Sequence, residues 1–132
     1  FKKFNDMHGH QVGDYVLKQF ADVARSLLRE YDLFARYGGE EFVLVLPETN
    51  ASEGEIVAEK FRNALSEHAF NHERETYYIT ASFGVADLTP AKDKFDKNDL
   101  ISRADSALYE SKKKGRNRVT VYSSKKKWFG SK

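Results

Sequence analysis

The sequence predicts an α+β domain in which helices flank a central, largely antiparallel sheet. Three observations lead to this prediction. Amphipathic helices alternate with short strand-like runs, two of these runs form a hairpin, and 40% apolar with 14% aromatic content supplies a core. A chain of 132 residues fits one domain. We assign residues 1–122 to this domain and residues 123–132 to a basic tail.

The first helix is predicted from apolar residues that recur at three- and four-residue steps. They are Val16, Phe20, Val23, Ala24, Leu27, Leu28 and Tyr31. The spacing predicts a helix of roughly 15 residues that follows a loop or helix start over residues 1–13. Asp14 would then lie in the first turn, where a carboxylate favours the helix dipole.

A hairpin is the most specific local prediction. Two apolar runs, residues 33–37 and 42–46, flank a Gly-Gly-Glu-Glu segment at 38–41. The glycines permit the positive φ angles of a tight turn, which lifts Glu40 and Glu41 to the rim of the sheet. Carboxylates beside bare backbone suit a hard cation such as Mg²⁺ carrying a phosphate. A solvated turn without a function is the alternative.

The second helix and the third strand follow. Asn50 or Ser52 can cap a helix whose apolar residues extend to Leu65. Residues 77–86 are β-branched and aromatic, which predicts a strand. Gly84 inside this strand indicates a bulge or a close neighbour.

A third helix and a short last strand complete the pattern. The helix is predicted to begin at Asn98 or Asp99 and to end at Gly115. Residues 119–122 form the strand, so the elements favour an α+β sandwich over a doubly wound sheet.

Composition narrows the function classes. Lys and Arg number 22 against 20 Asp and Glu, so the net charge of +2 argues against a nucleic-acid partner. Without cysteine there is no disulfide or zinc-thiolate site, which fits a cytoplasmic domain. The chain opens on Phe1 rather than Met, so we interpret it as a piece of a longer protein, soluble or membrane-anchored. His8 and His10 lie next to glycine without further ligands at metal-binding spacing and are interpreted as structural residues.

Four motifs stand out along the chain. They are Phe1-Lys2-Lys3-Phe4-Asn5-Asp6 with Gly9-His10 and Gly13-Asp14, then Gly38-Gly39-Glu40-Glu41-Phe42, then Ile79 to Ala86, and last Ala104 to Tyr109 with Lys112 and Gly115 to Val119. Together, and in this order, they resemble the motifs of the GGDEF family, the diguanylate cyclases. The resemblance implies a fold similar to the palm of polymerases and adenylyl cyclases. It also implies that the family's first strand, with its metal-binding Asp, is missing before Phe1.

The resemblance implies an activity and its partners. The family condenses two GTP into cyclic di-GMP with release of two pyrophosphates, in a homodimer of half-sites that uses Mg²⁺ or Mn²⁺. An upstream sensory or regulatory domain is expected in the parent protein. The alternative is a catalytically silent GGDEF module that senses GTP or cyclic di-GMP.

The catalytic and guanine-binding roles are carried over residue by residue. Glu40 matches the metal-binding carboxylate, and Glu41 is a secondary catalytic acid. Asn5 and Asp14 match the guanine-recognising pair, since an ionised Asp accepts from two N–H groups that adenine lacks. Without the resemblance, Asn5 is a turn former and Asp14 a helix-start charge.

The phosphate-binding roles follow the same match. Lys112 and Arg116 would hold the β- and γ-phosphates, because residues four apart near a helix end can converge on one anion. Lys2 and the backbone at Gly38 and Gly39 would add contacts to the substrate. A solvated basic helix end is the alternative for the Lys112 and Arg116 pair.

Arg29 and Asp32 resemble the family's Arg-x-x-Asp inhibitory motif, which binds cyclic di-GMP. Arg29 would fork onto a guanine edge or phosphate, and Asp32 would accept from guanine. Lys60 and Arg62 could add positive charge there. The alternative is an Arg at a helix C-terminus followed by an exit turn.

Overall fold

The structure is a computed structural model that describes residues 9–38, 41–88 and 96–123. The helices of this part of the chain are α1 (His10–Leu27), α2 (Ala51–Glu67) and α3 (Lys97–Lys113). Its strands are β1 (Leu33–Gly38), β2 (Glu41–Val45), β3 (Phe70–His72), β4 (Glu75–Tyr77), β5 (Phe83–Val85) and β6 (Val119–Val121). The pairs β1–β2 and β3–β4 are antiparallel and the pair β5–β6 is parallel. The predicted α+β class is confirmed.

The described chain divides into two compact units. The first holds residues 9–38, 41–48 and 63–79, and the second holds residues 49–62, 80–88 and 96–123. The single domain over 1–122 stays a prediction. Of the basic tail, residues 124–132 lie outside the described residues.

Aromatic side chains fix the hairpin of the first unit against α1. Phe42 stacks on Phe20 with ring centroids 4.8 Å apart and on Phe34 at 5.3 Å. Val16 and Ala24, also on α1, are completely buried. The hairpin therefore has a rigid base, and its register shifts only where β1 approaches the turn, between Arg36 and Gly38.

The first unit contains a second hairpin that the sequence did not predict. Strands β3 and β4 pair Phe70 with Tyr77 and His72 with Glu75. The turn between them holds Glu73 at a φ of 53°, a conformation that usually selects glycine or asparagine. The predicted strand over 77–86 is wrong for residues 78–82, which belong to none of the described strands.

The second unit packs α3 against the β5–β6 pair. A Cβ on Gly84 would overlap the carbonyl oxygen of Ala104 and the amide nitrogen of Leu108, so only glycine allows this approach. Ser111, fully buried on α3, donates to the carbonyl oxygen of Phe83 at 2.7 Å and lies 2.7 Å from the Thr120 hydroxyl. The close neighbour predicted at Gly84 is thus helix α3.

The helix boundaries correct three local predictions. Helix α1 begins at His10, so Asp14 is its fifth residue and lies beyond the first turn. The helix ends at Leu27, which leaves Tyr31 outside it and exposed. Helix α3 is capped by Asp96, whose carboxylate accepts from the amide of Asn98, rather than by a residue inside the helix.

Two predicted helix signals are confirmed. Asn50 caps α2 through a reciprocal exchange in which its amide donates to Glu53 Oε1 at 3.0 Å and its Oδ1 accepts from the Glu53 amide at 2.9 Å. Gly115 follows the end of α3 with a φ of 118°.

Candidate functional site

The turn of the first hairpin is open on the side of its first glycine. Gly38 is the last residue of β1 and pairs with Glu41 across the end of the ladder, so the positive φ predicted for Gly38 is wrong. A Cβ built on Gly38 meets no atom of the described residues within 4 Å. Glu41 is half-buried. Gly39 and Glu40 lie outside the described residues. The described part of the turn therefore leaves room for a ligand against the backbone of Gly38.

Asp14 is the described member of the predicted guanine-binding pair. It lies on α1 with its side chain exposed, next to the buried Gly13. Its carboxylate makes no hydrogen bond or ion pair with any residue that the structure describes. The alternative interpretation, in which Asp14 is a charge in the first helical turn, loses support because the helix begins four residues earlier. Asn5 and Lys2 lie outside the described residues.

Lys112 and Arg116 belong to one helix-ending turn of the second unit. The amide of Arg116 donates to the carbonyl oxygen of Ser111 at 2.9 Å. The amide of Gly115 donates to the carbonyl oxygen of Lys112 at 3.4 Å. This pair of bonds, with glycine in the left-handed conformation, is a Schellman motif. It fixes where the chain leaves the helix and carries both exposed cationic side chains on one short turn.

The backbone after Gly115 stays in the left-handed region. Arg116 has a φ of 64° and Asn117 a φ of 48°. For residues with a Cβ this conformation costs on the order of 1 kcal/mol each and persists only when neighbours fix it. The amide of Asn117 donates to Ser82 Oγ at 3.1 Å, and its Oδ1 accepts from Arg62 Nη1 at 3.1 Å.

Arg62 and Asn117 are joined by a contact that the sequence did not reveal. They are 55 positions apart, so no local pattern links them. That Arg62 could add charge to the inhibitory site stays a prediction; in the structure its guanidinium binds Glu59 and Asn117 within the second unit. Asn117, two residues after the helix-ending Gly115, was the one sign in the sequence of a left-handed backbone here, since Asn tolerates positive φ better than most residues.

Arg29 and Asp32 are brought together in the first unit. Arg29 Nε donates to Asp32 Oδ2 at 3.1 Å and Nη2 donates to Oδ1 at 3.0 Å, a forked ion pair. The backbone amide of Arg29 also donates to Oδ2, at 2.8 Å. The guanidinium lies 4.7 Å from the centroid of the Tyr31 ring and within 3.4 Å of the Pro47 carbonyl oxygen.

This pair changes the titration of the carboxyl group. Hydrogen bonding from the Arg29 side chain lowers the pKa of Asp32 below its usual value, and it outweighs the burial that would raise this pKa. The Asp32 side chain is 4% exposed and that of Arg29 is 48% exposed. Asp32 is therefore ionised at neutral pH, and both of its carboxylate oxygens accept hydrogen bonds from Arg29.

A further groove in the described chain is lined by none of the predicted site residues. A groove between α3 and β6 is lined in part by Arg103 and Tyr122, whose guanidinium and ring are 5.6 Å apart. The described residues include no cluster of three His, Asp or Glu side chains arranged to hold a metal ion. No helix in the described ranges combines the length and the apolar character needed to cross a bilayer.

Sequence comparison defines the class of protein to which this fold and turn belong. The family model described as diguanylate cyclase, GGDEF domain, matches residues 1–118. The chain therefore belongs to the GGDEF domain family.

Individual relatives share most of this chain. "Diguanylate cyclase A" of Treponema denticola is 43% identical over 125 residues, which cover 92% of this chain and 32% of that protein. The chain thus spans about a third of the length of this relative. The active GGEEF domain of a diguanylate cyclase from Vibrio cholerae has a TM-score of 0.80 at 36% identity, covering 92% of this chain and 76% of that one. The GGDEF domain of DgcB from Caulobacter crescentus, solved in complex with c-di-GMP, has a TM-score of 0.82 at 38% identity over 91% of this chain and 70% of that one.

Proposed function

We propose that this chain is the catalytic domain of a diguanylate cyclase that condenses two GTP into cyclic di-GMP and two pyrophosphates. The observation that carries the proposal is the open hairpin turn at Gly38, anchored by stacked aromatic rings, in a chain that carries the Gly-Gly-Glu-Glu-Phe sequence. The GGEEF relative from Vibrio cholerae, described as active, supports it.

The reaction requires two GTP molecules held in opposite orientations. The 3′-oxygen of each forms a bond to the α-phosphorus of the other, and each bond from an α-phosphorus to its pyrophosphate leaving group breaks. Such a transfer depends on alignment and charge neutralisation more than on covalent help from the protein. Two half-sites facing each other in a homodimer provide that arrangement.

Guanine selection falls to Asp14 and Asn5. An exposed, ionised carboxylate can accept hydrogen bonds from N1 and N2 of guanine, whereas adenine presents no such pair of donors. The freedom of the Asp14 carboxylate from partners among the described residues supports this role.

Phosphate binding falls to Lys112 and Arg116, with Lys2 and the backbone of Gly38 and Gly39 adding contacts. The Schellman turn supports this role, because it holds the backbone from which both cations extend and neither side chain is buried. Arg116 offers a planar fork that suits phosphate oxygens, and Lys112 offers a point charge.

The metal proposal depends on the donor chemistry of the turn. A carboxylate at Glu40, the half-buried Glu41 beside it and open space over Gly38 suit a hard divalent cation with its phosphate. Glu40 would hold Mg²⁺ or Mn²⁺, and Glu41 would support it as a second acid. When bound, the ion would neutralise phosphate charge and favour ionisation of the attacking 3′-hydroxyl.

Product inhibition is proposed through Arg29 and Asp32. Both groups suit a guanine: the guanidinium forks onto its Hoogsteen edge or a phosphate, and the ionised Asp32 accepts from N1 and N2. The DgcB domain bound to c-di-GMP is a relative that supports such a site. An upstream regulatory domain would complete the protein.

The proposal is tested by incubating the intact protein with GTP and Mg²⁺ and separating the products by chromatography. Cyclic di-GMP and pyrophosphate are expected in a ratio of one to two, at a rate that rises more steeply than linearly with protein concentration while the dimer is incompletely formed. Tight binding of GTP or cyclic di-GMP without any product would instead establish the silent sensor.

A further inference from the structure

We propose that Arg62 is a positioning residue: it fixes the turn that carries Arg116 and thereby sets the affinity of the site for the β- and γ-phosphates of GTP. The inference rests on the proposed function, because Arg116 has this role only if a guanosine triphosphate is bound. It concerns the second unit alone, in which Arg62, Ser82, Ser111 and Asn117 all lie.

The contact that carries the inference joins helix α2 to the turn after α3. Arg62 Nη1 donates to Asn117 Oδ1 at 3.1 Å and approaches the Asn117 carbonyl oxygen at 3.5 Å. On its other side, Arg62 Nε donates to Glu59 Oε1 at 2.7 Å. The Arg62 side chain is only 21% exposed, so the guanidinium is held between a residue of its own helix and the turn.

The turn needs an external support because its conformation is unfavourable. Arg116 and Asn117 are consecutive residues with a Cβ and with φ angles of 64° and 48°. Their backbone amides are satisfied by the Ser111 carbonyl and by Ser82 Oγ. Arg62 adds the contact to the Asn117 side chain, and this contact ties the turn to a separate helix.

The charge of Arg62 points to positioning rather than to direct phosphate binding. Its ion pair with Glu59 at 2.7 Å balances the guanidinium where it stands. Arg116 is exposed, and its side chain makes no bond to any residue within the described ranges. Loss of Arg62 would therefore lower the fraction of molecules in which Arg116 is correctly placed, and the apparent affinity would fall by that fraction.

The test is calorimetric titration of the intact protein with two probes. The first is the α,β-methylene analogue of GTP, in which the bond broken by the reaction is blocked. The second is GMP, which lacks the β- and γ-phosphates. Arg62→Ala is expected to weaken the analogue about tenfold and GMP less than twofold, because only the distal phosphates report on Arg116.

The chain offers a matched control in Arg25. This residue forms the same kind of ion pair one helical turn apart, with Asp22 at 3.3 Å, and has no bond to another element in the described chain. Arg25→Ala is expected to leave both affinities unchanged. Asn117→Gly permits the positive φ but removes the amide acceptor, so it should match Arg62→Ala, and the double variant should lose no more than either single one.

Each outcome decides the inference. Equal weakening of GMP and the analogue in both variants would overturn it, since a general structural defect would then be the cause. If Arg116→Ala weakens the analogue while Arg62→Ala and Asn117→Gly do not, positioning is refuted and the proposed function stands. If Arg116→Ala itself has no effect, the phosphate role in the proposed function fails together with the inference.

Discussion

Arg29 and Asp32 satisfy each other through a forked ion pair, with Nε–Oδ2 at 3.1 Å and Nη2–Oδ1 at 3.0 Å. The carboxylate is nearly buried by this contact, and its pKa is lowered by it. The two groups proposed to bind cyclic di-GMP therefore already use their best hydrogen-bonding positions on one another. A ligand must replace these bonds with equivalent ones, which a guanine base and a phosphate can do.

Removal of Arg29 should relieve product inhibition. In Arg29→Ala, the concentration of cyclic di-GMP that halves the rate is expected to rise at least about tenfold, since a charge-assisted bond contributes about 1.5–3 kcal/mol. The initial rate should stay within twofold. Rates measured at increasing cyclic di-GMP check this, with Arg25→Ala as control. Unaltered inhibition would mean that Arg29 is a structural residue at the exit of α1.

The pair should also make stability depend on pH. Because the folded pKa of Asp32 is depressed, its stabilisation is complete above the unfolded pKa of about 4 and is lost as the pH falls through the lower folded value. Wild type should therefore exceed Arg29→Ala in unfolding free energy at pH 7, and the difference should shrink towards pH 2. Urea unfolding at several pH values measures it. A difference that does not change with pH would contradict the assignment.

Substitution by alanine should destabilise the fold at Gly84 and leave its stability almost unchanged at Gly38. A methyl group at Gly84 overlaps the backbone of α3, so Gly84→Ala should lower the unfolding free energy by about 3 kcal/mol. At Gly38 the methyl group meets no atom of the residues that the structure describes, so Gly38→Ala should change stability by less than about 0.5 kcal/mol.

The same Gly38→Ala variant tests the ligand site. Its methyl group would occupy the open space over the turn, so the affinity for the α,β-methylene analogue of GTP should fall although the fold is unchanged. Thermal unfolding and calorimetric titration of both variants give the two readouts. Full affinity in Gly38→Ala would show that the nucleotide does not approach this backbone.

Asp14→Asn should reduce the preference for GTP over ATP. The neutral amide presents one acceptor and one donor in place of two acceptors, so about 1.5–3 kcal/mol of discrimination, roughly 10- to 100-fold in kcat/KM, should be lost. The melting temperature should not change, because Asp14 has no partner among the described residues and lies outside the first turn. A large loss of stability with unchanged nucleotide preference would assign Asp14 a structural role.

Local sequence patterns predicted the parts of the fold whose causes are local. The first hairpin follows from a glycine pair between apolar runs, and the ends of α2 and α3 follow from Asn50 and Gly115. The β3–β4 hairpin escaped prediction because Glu73-Arg74, its turn, carries no glycine or asparagine. Helix α1 begins at His10, within the segment predicted as a loop or helix start, and Gly13 is buried inside the helix.

The features of the candidate site were likewise predicted from the sequence only in part. Motif resemblance singled out Arg29 and Asp32, and their spacing allows the pair that the structure describes. The motif did not predict that Arg29 and Asp32 form an ion pair with each other, because that depends on side-chain geometry. The contact between Arg62 and Asn117 was not predicted either, because it also joins distant segments of the chain. Parallel pairing of β5 with β6 likewise arises from tertiary packing.

Comparing wild type with Glu40→Gln in the conversion of GTP to cyclic di-GMP tests whether the hairpin carboxylate holds the metal ion of a diguanylate cyclase. The substitution keeps the size of the side chain but removes the charge proposed to hold the metal ion. Turnover should fall to background in Glu40→Gln while the affinity for the α,β-methylene analogue of GTP persists. Synthesis of cyclic di-GMP by Glu40→Gln at the wild-type rate would show that Glu40 does not hold a metal ion needed for the reaction.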